Sequence, residues 1–262
     1  MRTAGLLVCV GAIVGGGTLF GQGGPEYTAL GDSLATGYLA QSGYVARFSA
    51  DLQTDFGAPV TLYNLGQNGY SSGNLLNALQ TKAAFQADIS AANVVTWDIG
   101  LNDFRNARQQ YKNKKCRGKD NQDCLRAMLS SFTTNWNGIA TEILTRRSTA
   151  DTVIRAMDIY DPWTAADARA NSTPDTYETG SARGNDFQVL EYYLDAMNST
   201  IALSAMNDGF LVAPVHTLYN GSTGAEDPVA KGYIGSDGIH PTDLGHQAIA
   251  DAFRSLGYSP LR

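Results

Sequence analysis

The chain has 262 residues, of which 43% are hydrophobic and 17% are charged. This composition excludes a globally disordered protein and is typical of a folded soluble domain with a sizeable core. The formal net charge is −6, and nucleic-acid binding requires a basic face, so nucleic acid is excluded as the main partner.

The N-terminal residues have the pattern of a secretory signal peptide. Arg2 supplies a positive charge, residues 4–20 are uncharged and mostly apolar or glycine, and residues 21–23 form a small-x-small cleavage pattern. A membrane anchor is the alternative, but glycines at 15–17 interrupt a run already short for a span of about 20 residues. We therefore predict a signal peptide over residues 1–23, one domain over residues 24–262, and a secreted, extracellular, monomeric protein without stable membrane insertion.

Cysteines and glycosylation sequons agree with export. Cys9 lies in the predicted signal peptide, so Cys116 and Cys124 remain as a pair that a disulfide can join in an oxidising compartment. No histidine or second cysteine pair lies near them at the spacing of a metal site. Three Asn-x-Ser/Thr sequons are glycosylation candidates, at Asn171, Asn198 and Asn220.

Short strand-like runs alternate with helical patterns along the chain. Strands are predicted at residues 27–30, 60–65, 93–99, 152–160 and 210–215. Helices are predicted at residues 43–56, 75–85, 123–145, 187–206 and 242–256. This alternation implies parallel strands joined by right-handed crossovers. The polar, turn-rich stretch 164–186 predicts a long surface loop.

Polar residues and glycines follow each of the first three predicted strands. They form Gly-Asp-Ser-Leu at 31–34, Asn-Leu-Gly-Gln-Asn-Gly at 64–69 and Gly-Leu-Asn-Asp at 100–103. The carboxyl ends of parallel strands meet at one edge of the sheet. We expect this edge to gather the hydroxyl and N–H of Ser33, the N–H of Gly66 and the carboxamide of Asn102. Such donors stabilise the oxyanion of ester cleavage.

A late Asp-Gly-Ile-His-Pro segment at residues 237–241 supplies a base and its orienting carboxylate. A short turn brings Asp237 to Nδ1 of His240 and leaves Nε2 to accept the proton of Ser33. His216 and His246 are rival bases, but neither follows an aspartate at this spacing, and both are predicted to be structural. Acyl transfer by Ser33, His240 and Asp237 needs no metal and no cofactor.

Taken in chain order, these four segments resemble the GDSL esterases and lipases of the SGNH hydrolase superfamily. The resemblance covers residues 31–241. It implies Ser33 as nucleophile, His240 as base, Asp237 as its orienting partner, and Gly66 and Asn102 in the oxyanion hole. It also implies an α/β fold, a three-layer α/β/α flavodoxin-like arrangement with five parallel strands in the order 2-1-3-4-5. The expected activity is hydrolysis of small or polymeric carboxylic esters, with short-chain or acetyl esters of carbohydrate or lipid as substrates.

Three alternatives stay open at this point. Residues 69–73 match the Gly-x-Ser-x-Gly elbow of α/β-hydrolases and would make Ser71 the nucleophile, although little sheet precedes them and no His-Gly-Gly oxyanion loop is visible. A lysophospholipase or lipase of the same family would use the same residues on another substrate. A non-catalytic secreted carbohydrate-binding protein on this scaffold would be expected to lose Ser33, Asn102, Asp237 or His240, and all four are present.

A basic run at residues 112–119 stands out in this acidic chain. It is interpreted first as a solvated loop joined by Cys116 and Cys124. A second interpretation is that the run attracts an anionic substrate, to which Arg105 and Arg108 could also contribute.

Overall fold

The computed structural model describes residues 23–169, 175–176 and 183–262. The predicted signal peptide, except for Gly23, and the Asn171 sequon lie outside these residues. No helix within the described ranges combines the length and the apolar character that a membrane crossing requires.

Seven strands occur in the described ranges, and they form a central sheet and a small ribbon. The strands are β1 (Glu26–Leu30), β2 (Thr61–Asn64), β3 (Val94–Trp97), β4 (Val153–Met157), β5 (Asp175–Thr176), β6 (Arg183–Gly184) and β7 (Leu211–Ala213). The central sheet is parallel, with the order β2-β1-β3-β4-β7, while β5 and β6 pair antiparallel. The predicted five-stranded parallel sheet and its order are therefore confirmed.

Ten helices occur in the described part of the chain. They are α1 (Ser33–Thr36), α2 (Tyr44–Phe56), α3 (Ser72–Thr81), α4 (Ala83–Ala91), α5 (Leu101–Lys112), α6 (Asp123–Leu144), α7 (Thr164–Arg169), α8 (Asp186–Asp208), α9 (Val215–Asn220) and α10 (Asp243–Ser255). The predicted helix 75–85 is two helices, because the backbone of Lys82 is extended and separates α3 from α4. The predicted loop 164–186 contains α7 and the β5–β6 ribbon.

Helices cover both faces of the central sheet. Right-handed crossovers place α2 on one face, and the reversal of direction after β2 places α3, α6 and α8 on the other. The contacts agree, since α10 packs on α2, while α6 packs on both α3 and α8. Strands β3 and β4 are consequently buried along their whole length, as expected of parallel strands between two helical layers.

The strand order reverses beside β1, which lies between β2 and β3. In open α/β sheets this is the place where a crevice forms outside the carboxyl ends of the strands and ligands bind. The segments that follow β1, β2 and β3 therefore meet at the topological switch point, where the functional site is expected.

Candidate active site

Ser33 lies in a sharp turn between β1 and α1. Gly31 starts the turn with φ +149°, and a Cβ atom there would lie about 2.5 Å from the Asp98 carboxylate. Asp32 then caps α1, since its Oδ1 accepts a hydrogen bond from the Leu34 N–H at 2.9 Å. This turn leaves Ser33 as the first residue of α1, with 8% of its surface exposed.

The Ser33 hydroxyl is bonded to a histidine from the other end of the chain. Ser33 Oγ and His240 Nε2 are 2.9 Å apart. His240 Nδ1 contacts Asp237 Oδ2, while Asp237 Oδ1 accepts the N–H groups of Ile239 and His240 at 3.0 Å each. An imidazole held in this way can accept the serine proton on Nε2, because the carboxylate fixes the tautomer and stabilises the imidazolium.

The hydrogen bonds around Asp237 keep it ionised. Burial raises the pKa of Asp237, but the side-chain and backbone bonds from His240 outweigh burial, so the pKa lies below its ordinary value. A carboxylate beside Nδ1 is the form that orients a general base.

Backbone hydrogen bonds hold the segment that carries Asp237 and His240 in a tight turn. Gly235 N–H donates to the His240 carbonyl at 2.8 Å, and the Tyr160 hydroxyl donates to the Ile239 carbonyl at 2.9 Å. The exposed ring of Tyr38 packs edge-on against the imidazole, with centroids 4.9 Å apart. The base and its partner are thereby held as one unit facing Ser33.

A buried pair of acids, Asp32 and Asp98, lies beneath Ser33. Asp98 Oδ1 accepts the Asp32 N–H at 3.2 Å, and Asp98 Oδ2 accepts the Tyr44 hydroxyl at 2.5 Å. Burial and the neighbouring Asp98 raise the pKa of Asp32 well above its ordinary value, and burial raises the pKa of Asp98 to about 6. Burial of these two neighbouring carboxyls therefore favours their protonated forms relative to exposed acids. No sequence signal beyond the strand-end position of Asp98 pointed to this pair.

Gly66 does not present the free N–H expected of it. Its N–H donates to Asn64 Oδ1 at 3.0 Å, and the Asn64 amide in turn donates to the Ala35 carbonyl at 2.7 Å. A Cβ at position 66 would lie 2.7 Å from the Ala35 Cβ and 3.0 Å from the Thr36 nitrogen. Glycine at 66 thus allows the β2 loop to pack against α1, and the expectation that it donates to an oxyanion is corrected.

Gly69, three residues later, has the N–H that Gly66 lacks. In the described part of the chain no group accepts from the Gly69 N–H, and the residue has φ +79° in a turn closed by Tyr70 N–H to Gln67 O at 3.1 Å. The turn is fixed on one side by Thr36 Oγ1, which donates to Asn68 Oδ1 at 2.6 Å. A pattern search could have found Gly69, because it belongs to the same predicted segment, but only the hydrogen bonds distinguish it from Gly66.

Asn102 joins the turn of Gly69 to the turn of Ser33. Its Nδ2 donates to the Tyr70 carbonyl at 2.9 Å and to Asp32 Oδ2 at 3.0 Å. The structure therefore brings Asn102 to the expected edge, with both amide hydrogens already bonded. The Ser33 N–H, in contrast, has no acceptor among the described residues.

Ser71 and His246 have structural partners. Ser71 caps α3, with its Oγ bonded to Asn74 Oδ1 at 2.8 Å, and no histidine among the described residues bonds to this hydroxyl, which speaks against the elbow hypothesis. His246 is fully buried and accepts the Tyr44 N–H on Nδ1 at 3.2 Å, and burial lowers the pKa of His246 to about 4. These positions agree with the structural role predicted for His246.

His216 lies with Glu191 and Asp195, and their ligand atoms are all within 4.8 Å of one another. This is the single group of three metal-ligand side chains within the described residues. Burial lowers the pKa of His216 and raises that of Glu191 to about 8. A neutral imidazole beside a protonated carboxyl lowers the electrostatic cost of partly burying His216 and Glu191.

The disulfide prediction is confirmed, whereas two sequons are incompatible with the fold. Cys116 and Cys124 are joined, with their Cα atoms 4.7 Å apart. Asn220 is fully buried, and its Nδ2 donates to the Asp161 carbonyl at 2.7 Å. Asn198 lies in α8, and its amide is bonded to both backbone groups of Ile159, at 2.8 and 2.9 Å. A glycan on either Nδ2 would break these bonds.

The comparison with protein families decides the assignment. The model of the GDSL-like lipase/acylhydrolase family matches residues 29–248. The chain belongs to this family. Membership makes it a carboxylic ester hydrolase, and esters are accordingly the class of substrate.

Relatives of the GDSL family match over nearly the whole chain. A spore germination lipase, LipC of Bacillus licheniformis, is 23% identical and aligns with 90% of this chain and 98% of its own. The lipase Lip_vut3 from a goat rumen metagenome matches with a TM-score of 0.71 at 20% identity, over 91% of this chain and 100% of its own. A variant of Axe2, an acetyl xylan esterase of Geobacillus stearothermophilus, matches with a TM-score of 0.62 at 17% identity, over 91% and 97%. At these identities the structural matches establish the shared fold.

Proposed function

We propose that the protein is a secreted serine esterase that cleaves carboxylic esters through an acyl-enzyme on Ser33. The observation that carries the proposal is the 2.9 Å contact between Ser33 Oγ and His240 Nε2, with Asp237 bonded behind the imidazole. A nucleophile bonded to a base that a third group orients is the arrangement of acyl transfer.

In the first half of the reaction, Ser33 Oγ attacks the ester carbonyl while His240 Nε2 takes its proton. The carbon–oxygen double bond opens to an oxyanion, and His240 returns the proton to the alcohol as that oxygen leaves. In the second half, His240 removes a proton from water, the hydroxide attacks the acyl carbonyl, and the acid leaves as Ser33 regains its proton. Asp237 stabilises the imidazolium in both halves.

The oxyanion is stabilised by N–H groups at the same edge. The N–H groups of Ser33 and Gly69 need no rearrangement before they donate, because neither has an acceptor in the described part of the chain. Asn102 contributes by exchanging its bond to the Tyr70 carbonyl for one to the oxyanion. Preorganised donors of this kind often supply the largest single part of the rate enhancement.

We further propose that the substrates are short-chain or acetyl esters and that the protein is exported from the cell. The fold shared with an acetyl xylan esterase supports a short acyl group in the substrate. The signal-peptide pattern and the Cys116–Cys124 disulfide support export. The relative LipC carries the name of a lipase, so longer acyl chains are the competing substrates.

Labelling with a fluorophosphonate tests the nucleophile. The wild type is expected to react covalently and Ser33→Ala to remain unlabelled, while Ser71→Ala, the matched control, is labelled like the wild type. Labelling that survives in Ser33→Ala would overturn the assignment, and an unlabelled wild type would support a non-catalytic protein. A series of p-nitrophenyl esters from C2 to C16 then separates an esterase, fastest at C2 to C4, from a lipase.

A further inference from the structure

A groove of about 590 Å³ opens between α5 and α6. One end is lined by Ser71 and Asp103, and the other by Lys115 and Arg117 of the loop that the disulfide closes. Its floor includes Ala107 of α5 and Met128 of α6, and polar side chains stand along its length. Nothing in the proposed catalytic mechanism uses this groove.

Two lining residues of the groove, Ser71 and Asp103, are chain neighbours of the segments that carry the proposed oxyanion donors. Asp103 follows Asn102 in α5, and its two carboxylate oxygens accept the N–H and the hydroxyl of Ser72 at 2.8 and 2.6 Å. Asn102 itself is bonded to the carbonyl of Tyr70, one residue before Ser71. An ester bound at Ser33 would therefore have the groove near its alcohol portion.

The loop that carries Lys115 and Arg117, at the outer end, is cross-linked by the disulfide and by hydrogen bonds. Besides the disulfide, Asn121 ties it down, because its amide donates to the Tyr111 carbonyl at 2.9 Å and accepts the Cys116 N–H at 3.1 Å. Three non-glycine residues in the loop have left-handed backbones, Lys114 at φ +55°, Arg117 at +66° and Asn121 at +57°. Backbone strain of this kind persists where surrounding structure enforces it, and it concentrates at functional sites.

The groove is lined by two cations, Lys115 and Arg117, and by two acids, Asp103 and Asp123, which differ in their partners. Lys112, from the same basic run, is neutralised by contacts with Asp186 and Asp167 on its other side. Lys115 and Arg117 have no carboxylate or hydrogen-bond partner for their side chains within the residues that the structure describes. The acids that line the groove are already engaged, Asp103 by Ser72 and Asp123 by Arg126 at 2.9 Å.

We propose that this groove is a substrate subsite in which Lys115 and Arg117 bind a carboxylate on the alcohol portion of the ester. The substrate class that fits is an acetylated polysaccharide containing uronic acids. An open channel with amide and hydroxyl side chains, among them Asn106, Gln110 and Ser131, suits a hydroxyl-rich chain better than an acyl tail. This inference rests on the proposed esterase function.

The test compares two acetylated oligosaccharides of equal length, an oligogalacturonide with carboxylates and a xylo-oligosaccharide without them. The Lys115→Ala/Arg117→Ala double variant is expected to raise KM for the oligogalacturonide about 5- to 20-fold, with kcat nearly unchanged. KM for the xylo-oligosaccharide should stay within about twofold, since the neutral chain has no charge to lose. Added salt should weaken the wild-type preference for the oligogalacturonide.

Lys119→Ala is the matched control, because it removes one positive charge from the same loop at a residue that does not line the groove. A wild type without preference for the charged oligosaccharide, or a double variant that loses both substrates equally, overturns the subsite. A Lys115- and Arg117-dependent preference for a lysophospholipid instead of the oligogalacturonide overturns the polysaccharide assignment. Failure of the esterase proposal is distinguishable, because the wild type would then be inactive on p-nitrophenyl acetate as well.

Discussion

Two serines follow neighbouring strands at the same edge of the sheet, and their hydroxyls have different partners. Ser33, after β1, bonds to His240 Nε2 at 2.9 Å, 207 residues away in the chain. Ser71, after β2, bonds to Asn74 at 2.8 Å, three residues away, and caps α3. Each lies between a strand and a helix, so the local geometry alone does not distinguish a nucleophile from a cap.

The difference shows that the chain's distant residues select the nucleophile. Ser71 has the fuller local match, a complete Gly-x-Ser-x-Gly pentapeptide, yet its hydroxyl satisfies an orphan N–H of the helix terminus. Ser33 has a four-residue match and receives the imidazole and its carboxylate from the last part of the domain.

The largest effect is expected at Asp237, because without it Ser33, like Ser71, would have no oriented base beside its hydroxyl. In Asp237→Asn the imidazole loses the partner that fixes its tautomer, and we expect kcat to fall about 10²- to 10⁴-fold. Steady-state kinetics on p-nitrophenyl acetate measure the loss. Asp251→Asn, which changes an exposed aspartate of α10, serves as the control and should keep wild-type kcat. A variant at 237 with unchanged kcat would contradict the role of the His240–Asp237 pair.

Alanine substitutions of the glycines beside the two serines should differ in their effect on the free energy of unfolding. Gly31→Ala places a Cβ about 2.5 Å from the buried Asp98 carboxylate at φ +149°, so we expect a loss of about 2–4 kcal/mol in the free energy of unfolding. Gly73→Ala, inside α3, has its nearest contact with the Asn135 amide at 3.3 Å and should change stability by less than about 1 kcal/mol. Urea unfolding of both variants makes the comparison, and equal losses would refute the packing argument for Gly31.

Alanine substitutions at Gly69 and Gly66, in the segment before Ser71, should affect different properties, catalysis at Gly69 and packing at Gly66. Gly69→Ala has open space for its Cβ but strains a backbone at φ +79°, so it should displace the N–H and lower kcat about 10- to 100-fold, with a loss of about 1–2 kcal/mol in stability. Gly66→Ala collides with α1 and should chiefly lower the melting temperature. Kinetics and thermal unfolding on the same preparations decide, and the reverse pattern would restore Gly66 as the donor.

The smallest effect is expected at Ser71 itself. Ser71→Ala removes the capping hydroxyl of α3, which should cost about 1 kcal/mol of stability while kcat stays within about twofold. Chemical denaturation and esterase assays measure the two quantities. A large loss of kcat in a folded Ser71→Ala protein would reverse the comparison of the two serines.

The resemblance to the GDSL family implied the sheet order, and patterns in short segments of the sequence predicted the Ser33–His240–Asp237 arrangement. Sequence patterns could not predict that the Asn64 side chain accepts the hydrogen bond of the Gly66 N–H, since that contact depends on how the loop after β2 packs against α1. The buried pair of Asp32 and Asp98 was missed for the same reason: residues 66 positions apart come together only through the pairing of β1 with β3. The α3–α4 break was missed because Lys82 carries no breaker signal.

The distance along the chain between Ser33 and His240 also has a consequence during synthesis. The ribosome produces the serine early and the histidine near the end, so a nascent chain holds a serine hydroxyl without its base. Until α10 packs against α2 and closes the domain, the emerging polypeptide has no assembled means of attacking esters.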